Sequence, residues 1–62
     1  MKLKKLLRIL DLEIVVRLFD DYKLDLVVKV KDIPKELKER SVNRLYRPYF
    51  DIKYDLSIFL KV

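Results

Sequence analysis

The chain has 62 residues, 52% of them hydrophobic and 40% charged, with 15 Lys and Arg against 10 Asp and Glu for a net charge of +5. It contains no Gly, His or Cys, which excludes a phosphate-cradling loop, a dinucleotide fingerprint, an ordinary zinc site, a thiol nucleophile and an imidazole base. Charged residues interrupt every apolar run well short of the ~20 residues a membrane helix needs, so no membrane partner is expected.

Such a length makes one domain, residues 1–62, and a domain of this size buries only ~60% of its unfolded surface. Without disulfides or a structural metal, its stability must come from a dense apolar core or from self-association. The alphabet also lacks Ala, Thr, Gln and Trp. Both an AT-rich genome and human design produce such bias. The absence of Gly from the hairpin turns, where a designer would place it, favours a natural origin.

The first element is a short amphipathic helix over residues 2–10. Leu3, Leu6, Leu7 and Leu10 recur at helical spacing, and Lys2, Lys4, Lys5 and Arg8 occupy the other side. Although the opening is basic and then apolar, Arg8 and Asp11 break the apolar stretch and no small-residue cleavage site follows, so it does not read as a secretion signal. A location inside the cell is expected. Next, Leu12, Ile14, Val16 and Leu18 alternate with Glu13, Val15, Arg17 and Phe19, which predicts a first strand. Asp20 to Lys23 supply a turn, with Asp expected to tolerate the left-handed conformation. A second strand then alternates Leu24, Leu26, Val28 and Val30 with Asp25, Val27, Lys29 and Lys31, completing an antiparallel hairpin.

In KDIPKELKERS, Asp32 is the expected N-cap of a second short helix with Pro34 in its first turn, Ile33 and Leu37 facing the core, and an end by Ser41. Val42 to Arg47 reads as a third strand, and Pro48 marks a break or bend. The last stretch alternates cleanly: Ile52, Tyr54, Leu56, Ile58, Leu60 and Val62 on one face, Asp51, Lys53, Asp55, Ser57, Phe59 and Lys61 on the other. The predicted fold class is therefore α+β, in the order α-β-β-α-β-β. A small antiparallel sheet of about four strands carries both helices on the face of Leu12, Ile14 and Val16.

Two surfaces stand out. The sheet face away from the helices is expected to carry Val15, Arg17, Phe19, Val27, Lys29, Lys53 and Phe59, a mixture of apolar and basic residues where a solvated face should be polar. Something is expected to cover it, and a second copy of the chain is the simplest candidate, giving a homo-oligomer. The segment RLYRPYF interleaves Arg44, Tyr46, Arg47 and Tyr49. Tyr rings stack on bases and Arg pairs with phosphate, so it is a candidate ligand site for an anionic nucleotide. The same residue types are enriched at protein-protein hot spots. Ser41 and Ser57 lack an activating base, and Asp20 with Asp21 and Asp51 with Asp55 read as a turn and a lysine-neutralised pair. No enzyme and no cofactor are expected.

The motifs LKKLLRILD, VKDIPKELKERSVNRLY and the alternating final strand resemble small accessory proteins of Firmicutes phages and prophages, in the pattern LxxLL, DIPxEL, VxxIY. The matching positions are Leu3, Leu6, Leu7, Asp32, Ile33, Pro34, Glu36, Leu37, Val42 and Tyr46. The chain departs from the pattern in its Gly-free hairpin and longer basic ending. The resemblance implies a phage protein that acts inside the host cell. By its context, such a protein would inhibit a host defence factor by stoichiometric capture of a host protein or of a small anionic nucleotide signal. A DNA- or RNA-binding accessory protein using Lys2, Lys4, Lys5 and Arg8 with Arg44 and Arg47 is the alternative. A designed or purely structural domain is the third.

Overall fold

A computed structural model describes residues 1–47 and 54–61. Its elements are α1 (Leu3–Leu7), β1 (Val15–Phe19), β2 (Asp25–Lys29), a 3₁₀ turn at Val30–Asp32, α2 (Lys35–Lys38), β3 (Val42–Tyr46) and β4 (Leu56–Leu60). The α+β class and the α-β-β-α-β-β order expected from the sequence are both present. The four strands lie in the order β2-β1-β4-β3.

The sheet is mixed, which corrects the expectation of a wholly antiparallel one. β1 pairs antiparallel with β2, and β3 antiparallel with β4, but the two hairpins join through a parallel β1–β4 pair. Composition explains the choice of centre. β1 and β4 carry apolar residues on both faces, as buried parallel strands do. β2 and β3 carry Asp25, Lys29, Asn43 and Arg44 and take the edges. To reach the far edge from β2, the chain must cross the sheet, and it does so through α2, leaving both helices on one face.

That face holds the core. Leu3, Leu6 and Leu7 of α1 pack on Val16 and Leu18 of β1 and Ile58 and Leu60 of β4, with Val30 and Ile33 closing one side. Leu3, Val16, Leu18, Ile58 and Leu60 have no exposed surface at all. The N-terminal arm is stitched to the start of β3: the Leu3 N–H donates to the Arg40 carbonyl at 2.8 Å and the Val42 N–H to the Met1 carbonyl at 2.8 Å. Glu39 beyond α2 pairs with Lys2 and Lys4 at 3.1 and 3.0 Å. Exposed pairs of this kind contribute only ~0–1 kcal/mol each, so the leucines carry the attachment of α1.

Local expectations need correction where polar side chains take hold of the backbone. The first strand begins at Val15, not Leu12. Asp11 accepts the Glu13 N–H at 2.9 Å in an Asx turn, and Leu12 stays 60% exposed instead of joining the core face. The β1–β2 turn needs no left-handed residue; none with positive φ occurs among the described residues. Asp20 Oδ1 accepts the N–H groups of Tyr22, Lys23 and Leu24 at 2.8, 3.0 and 3.0 Å and closes the loop by itself. Asp32 does not cap α2. It is wound into the 3₁₀ turn, and Pro34 holds the N-cap position without a side-chain cap. β3 ends at Tyr46, one residue earlier than expected. Of the expected last strand, Asp51, Ile52, Lys53 and Val62 lie outside the described residues, as does the break expected at Pro48.

Asp20 also anchors the far end of the sheet. Its second oxygen meets the Arg40 guanidinium at 2.9 Å, and Arg40 in turn donates through Nε to the Lys61 carbonyl at 3.0 Å. Burial pushes the Asp20 carboxyl up, but the N–H donors of Tyr22, Leu24 and Lys23 together with Arg40 outweigh it. The group is held below the usual carboxylate range.

Candidate functional site

Side chains alternate along a strand, so every residue opposite the core face projects from the open side of the sheet. β1 contributes Val15, Arg17 and Phe19, β2 contributes Asp25, Val27 and Lys29, and β4 contributes Ser57 and Phe59. On β3, Arg44 lies opposite Phe59 and Tyr46 opposite Ser57, across a register shift between Val42 and Arg44. That shift turns both Arg44 and Tyr46 to the open side. The parallel pair sets Arg17 beside Ser57 and Phe19 beside Phe59.

The aromatic rings meet at the centre. Phe19 and Phe59 stack with centroids 5.0 Å apart and planes at 19°, and Tyr46 leans on Phe19 at 6.0 Å and 37°. Such pairs contribute ~0.5–1.5 kcal/mol beyond the area they bury. Ser57, buried at 5% exposure, lies on β4 between Arg17 of β1 and Tyr46 of β3. Tyr46 remains 41% exposed and Val27 47%, while Phe19 and Phe59 are half-buried.

Charges ring this cluster and are mostly neutralised. Arg17 forks onto Asp25 at 2.9 and 3.1 Å, with its guanidinium 4.7 Å above the Phe19 ring. Asp25's hydrogen bond raises the Arg17 pKa, against a smaller opposing effect of burial, and the Tyr54 phenol adds to the rise. The same hydrogen bond holds the Asp25 carboxyl below its ordinary value. Lys29 reaches Glu13 at 3.2 Å and Lys31 reaches it at 3.1 Å. These bonds, that from Lys31 first, lower the Glu13 pKa.

Two surfaces that the sequence keeps apart are thus one. Arg44 and Tyr46 from the Arg/Tyr segment share the open face with Val15, Arg17, Val27, Lys29 and Phe59. Arg47 follows the end of β3 and is exposed; Tyr49 and Lys53 lie outside the described residues. The nucleic-acid set is not brought together. Lys2 and Lys4 are tied to Glu39 on the helical side, whereas Arg44 faces the opposite way. Sequence reasoning missed Asp25 and Tyr54 as members of the face. For Asp25 a signal existed: opposite charges at diagonal positions of a hairpin, here Arg17 and Asp25, pair across it.

Among the described residues no group of His, Cys, Asp and Glu could hold a metal ion, and no helix is long and apolar enough to cross a membrane. The arrangement offers a binding face. No family model, curated protein or solved structure matches this chain.

Proposed function

We propose that the protein is a non-enzymatic binding protein that captures a partner protein stoichiometrically through its open sheet face. The observation that supports this reading is the half-exposed Phe19–Phe59–Tyr46 cluster, bordered by the paired charges Arg17–Asp25 and Lys29–Glu13. Aromatic anchors inside a polar rim are the usual composition of protein-protein hot spots. A phosphate-binding face would present mainly cations without carboxylate partners; here Arg17 and Lys29 both have one, and among the described residues only Arg44 of the strand residues on this face shows none. In the phage setting the resemblance implies, the partner is a host defence factor, inhibited by occupancy inside the host cell.

The test is capture from bacterial extract by immobilised protein at low and high salt, with native mass spectrometry of what is bound. The expected result is one protein species at fixed stoichiometry, retained at high salt. It should be lost with Tyr46→Ala, whose far-UV circular dichroism should match the parent. A captured species that is nucleic acid or a nucleotide, released by salt, would overturn the reading. So would a protein partner that Tyr46→Ala still holds.

A further inference from the structure

The two edges of the sheet are not alike. At β3 the outer edge is blunted: the register shifts between Val42 and Arg44, and Met1 and Lys2 lie along its start, pairing with Val42 and Ser41. β2 has neither device. Its five residues pair with β1 in unbroken register, and among the described residues nothing pairs with its other side. Regular, uncovered edges of this kind are templates for another strand.

The backbone groups that β2 offers follow from the hairpin. The Val30 N–H donates to the Ile14 carbonyl at 3.0 Å, and the Asp20 N–H to the Leu24 carbonyl at 3.2 Å. Hydrogen-bonded pairs in an antiparallel ladder recur at every second residue. Leu24, Leu26, Val28 and Val30 therefore turn their N–H and C=O groups to β1, and Asp25, Val27 and Lys29 turn theirs outward.

The sequence of this edge, Asp-Leu-Val-Val-Lys, is complementary to itself when reversed. We propose that β2 pairs antiparallel with β2 of a second copy about a twofold axis at Val27, joining two four-stranded sheets into one. In that register Val27 meets Val27 of the second copy, and the outward backbone groups of both strands exchange hydrogen bonds. Asp25 then faces Lys29 of the second copy on the open side, and half-buried Leu26 faces Val28 on the helical side. Asp25 and Lys29 side chains are 59% and 47% exposed, so each can take a further partner. The row Arg17, Asp25, then Lys29 and Glu13 of the second copy alternates in sign across the junction. A one-residue slip would lose the opposition of Asp25 and Lys29 and turn each apolar side chain toward the wrong face. The contact is small, so the dimer is concentration-dependent. It uses the backbone edge and leaves the Phe19–Phe59–Tyr46 cluster open, giving a dimer with two capture faces side by side.

Sedimentation velocity over a dilution series, with amide exchange at low and high protein concentration, tests this. A dimer is expected in which the Asp25, Val27 and Lys29 amides become protected as concentration rises. Val27→Pro removes only an outward N–H, which edge strands tolerate. It should keep the parent circular dichroism and weaken the dimer roughly 10- to 100-fold through the two lost hydrogen bonds. Should that variant unfold, Val27→Lys sets like charges on the axis and should likewise dissociate the dimer. A protein that stays monomeric at the highest soluble concentration overturns the proposal. So does a dimer in which those three amides exchange freely, or one that a folded Val27 variant leaves as tight as before. Tyr46→Ala should not move the dimer equilibrium, so failure of capture and failure of pairing are separable.

Discussion

Truncating Leu3 to Ala tests how the helical layer is held. Leu3 opens α1, is wholly buried, and packs in the cluster with Val16, Leu18, Ile58 and Leu60. Removing its branched end forfeits burial and leaves a cavity, and Leu→Ala changes of this kind cost about 2–5 kcal/mol. α1 has only five residues, so beyond the two hydrogen bonds that tie its start near β3 its last turn can settle toward the gap. That places the expected loss at the lower end, about 2–3 kcal/mol. A 62-residue chain has a total stability of about 3–9 kcal/mol at typical values per residue, so the loss is a large share of the whole. The midpoint of thermal unfolding should fall by about 10–20 °C for a domain of this size. Ile9→Ala is the matched control. Ile9 is 79% exposed, and its truncation should stay within about 0.5 kcal/mol of the parent. Urea unfolding followed by circular dichroism gives both values, provided the dependence on urea is unchanged. A Leu3→Ala loss below about 1 kcal/mol, or an equal loss from Ile9→Ala, would refute the packing of α1 described above.

Two further outcomes follow from polar contacts. Glu13, Asp20, Asp25 and Glu39 all have carboxyls held below their ordinary values. Each therefore contributes stability that is complete above its unfolded pKa and is lost as pH falls through the folded value, so urea midpoints should decline below about pH 5. Asp20→Asn keeps an acceptor for the turn but cannot titrate, and its midpoint should fall less steeply with acid; an unchanged slope would exclude Asp20 as a contributor. The second concerns Asp55, which accepts the Val15 N–H at 2.9 Å while its own N–H donates to the Val15 carbonyl at 2.7 Å. Asp55→Ala should cost about 0.5–1.5 kcal/mol and speed exchange of the Val15 amide, and Asp55→Asn should recover much of both. Equal behaviour of the two variants would mean that the side-chain acceptor is unimportant.

Periodicity made the elements readable. The spacing of Leu3, Leu6 and Leu7 marked a helix face that is indeed buried, and alternation through Val16 and Leu18 and through Ile58 and Leu60 marked the core side of two strands. Alternation says which face a residue takes but not which strand lies beside it, so the parallel joining of β1 to β4 was not legible. Nor were the ends of β1 and α2. There Asp11 and the 3₁₀ turn at Asp32 divert the backbone through contacts that an apolar pattern does not record. The candidate site was legible as two lists of residues. Their union depended on the register shift before Arg44, which no local pattern announces. Arg40 lay in what read as a helix tail, yet it links Asp20 to the Lys61 carbonyl.

The parallel junction at the centre of the sheet also governs how the chain reaches its native state. Val15 and Asp55, which close that junction, are separated by 40 residues. Each hairpin is a local event and can form in about 1–10 μs, but neither has a covered face until the two meet. The step that joins them pairs strands far apart in sequence before the core contacts that reward it, and such non-local pairing slows folding. During synthesis the first hairpin and α1 emerge with their apolar sides bare. They stay so until β4 is made and arrives between β1 and β3. Because β4 lies at the centre of the sheet, deleting it should remove the whole fold and not one edge of it.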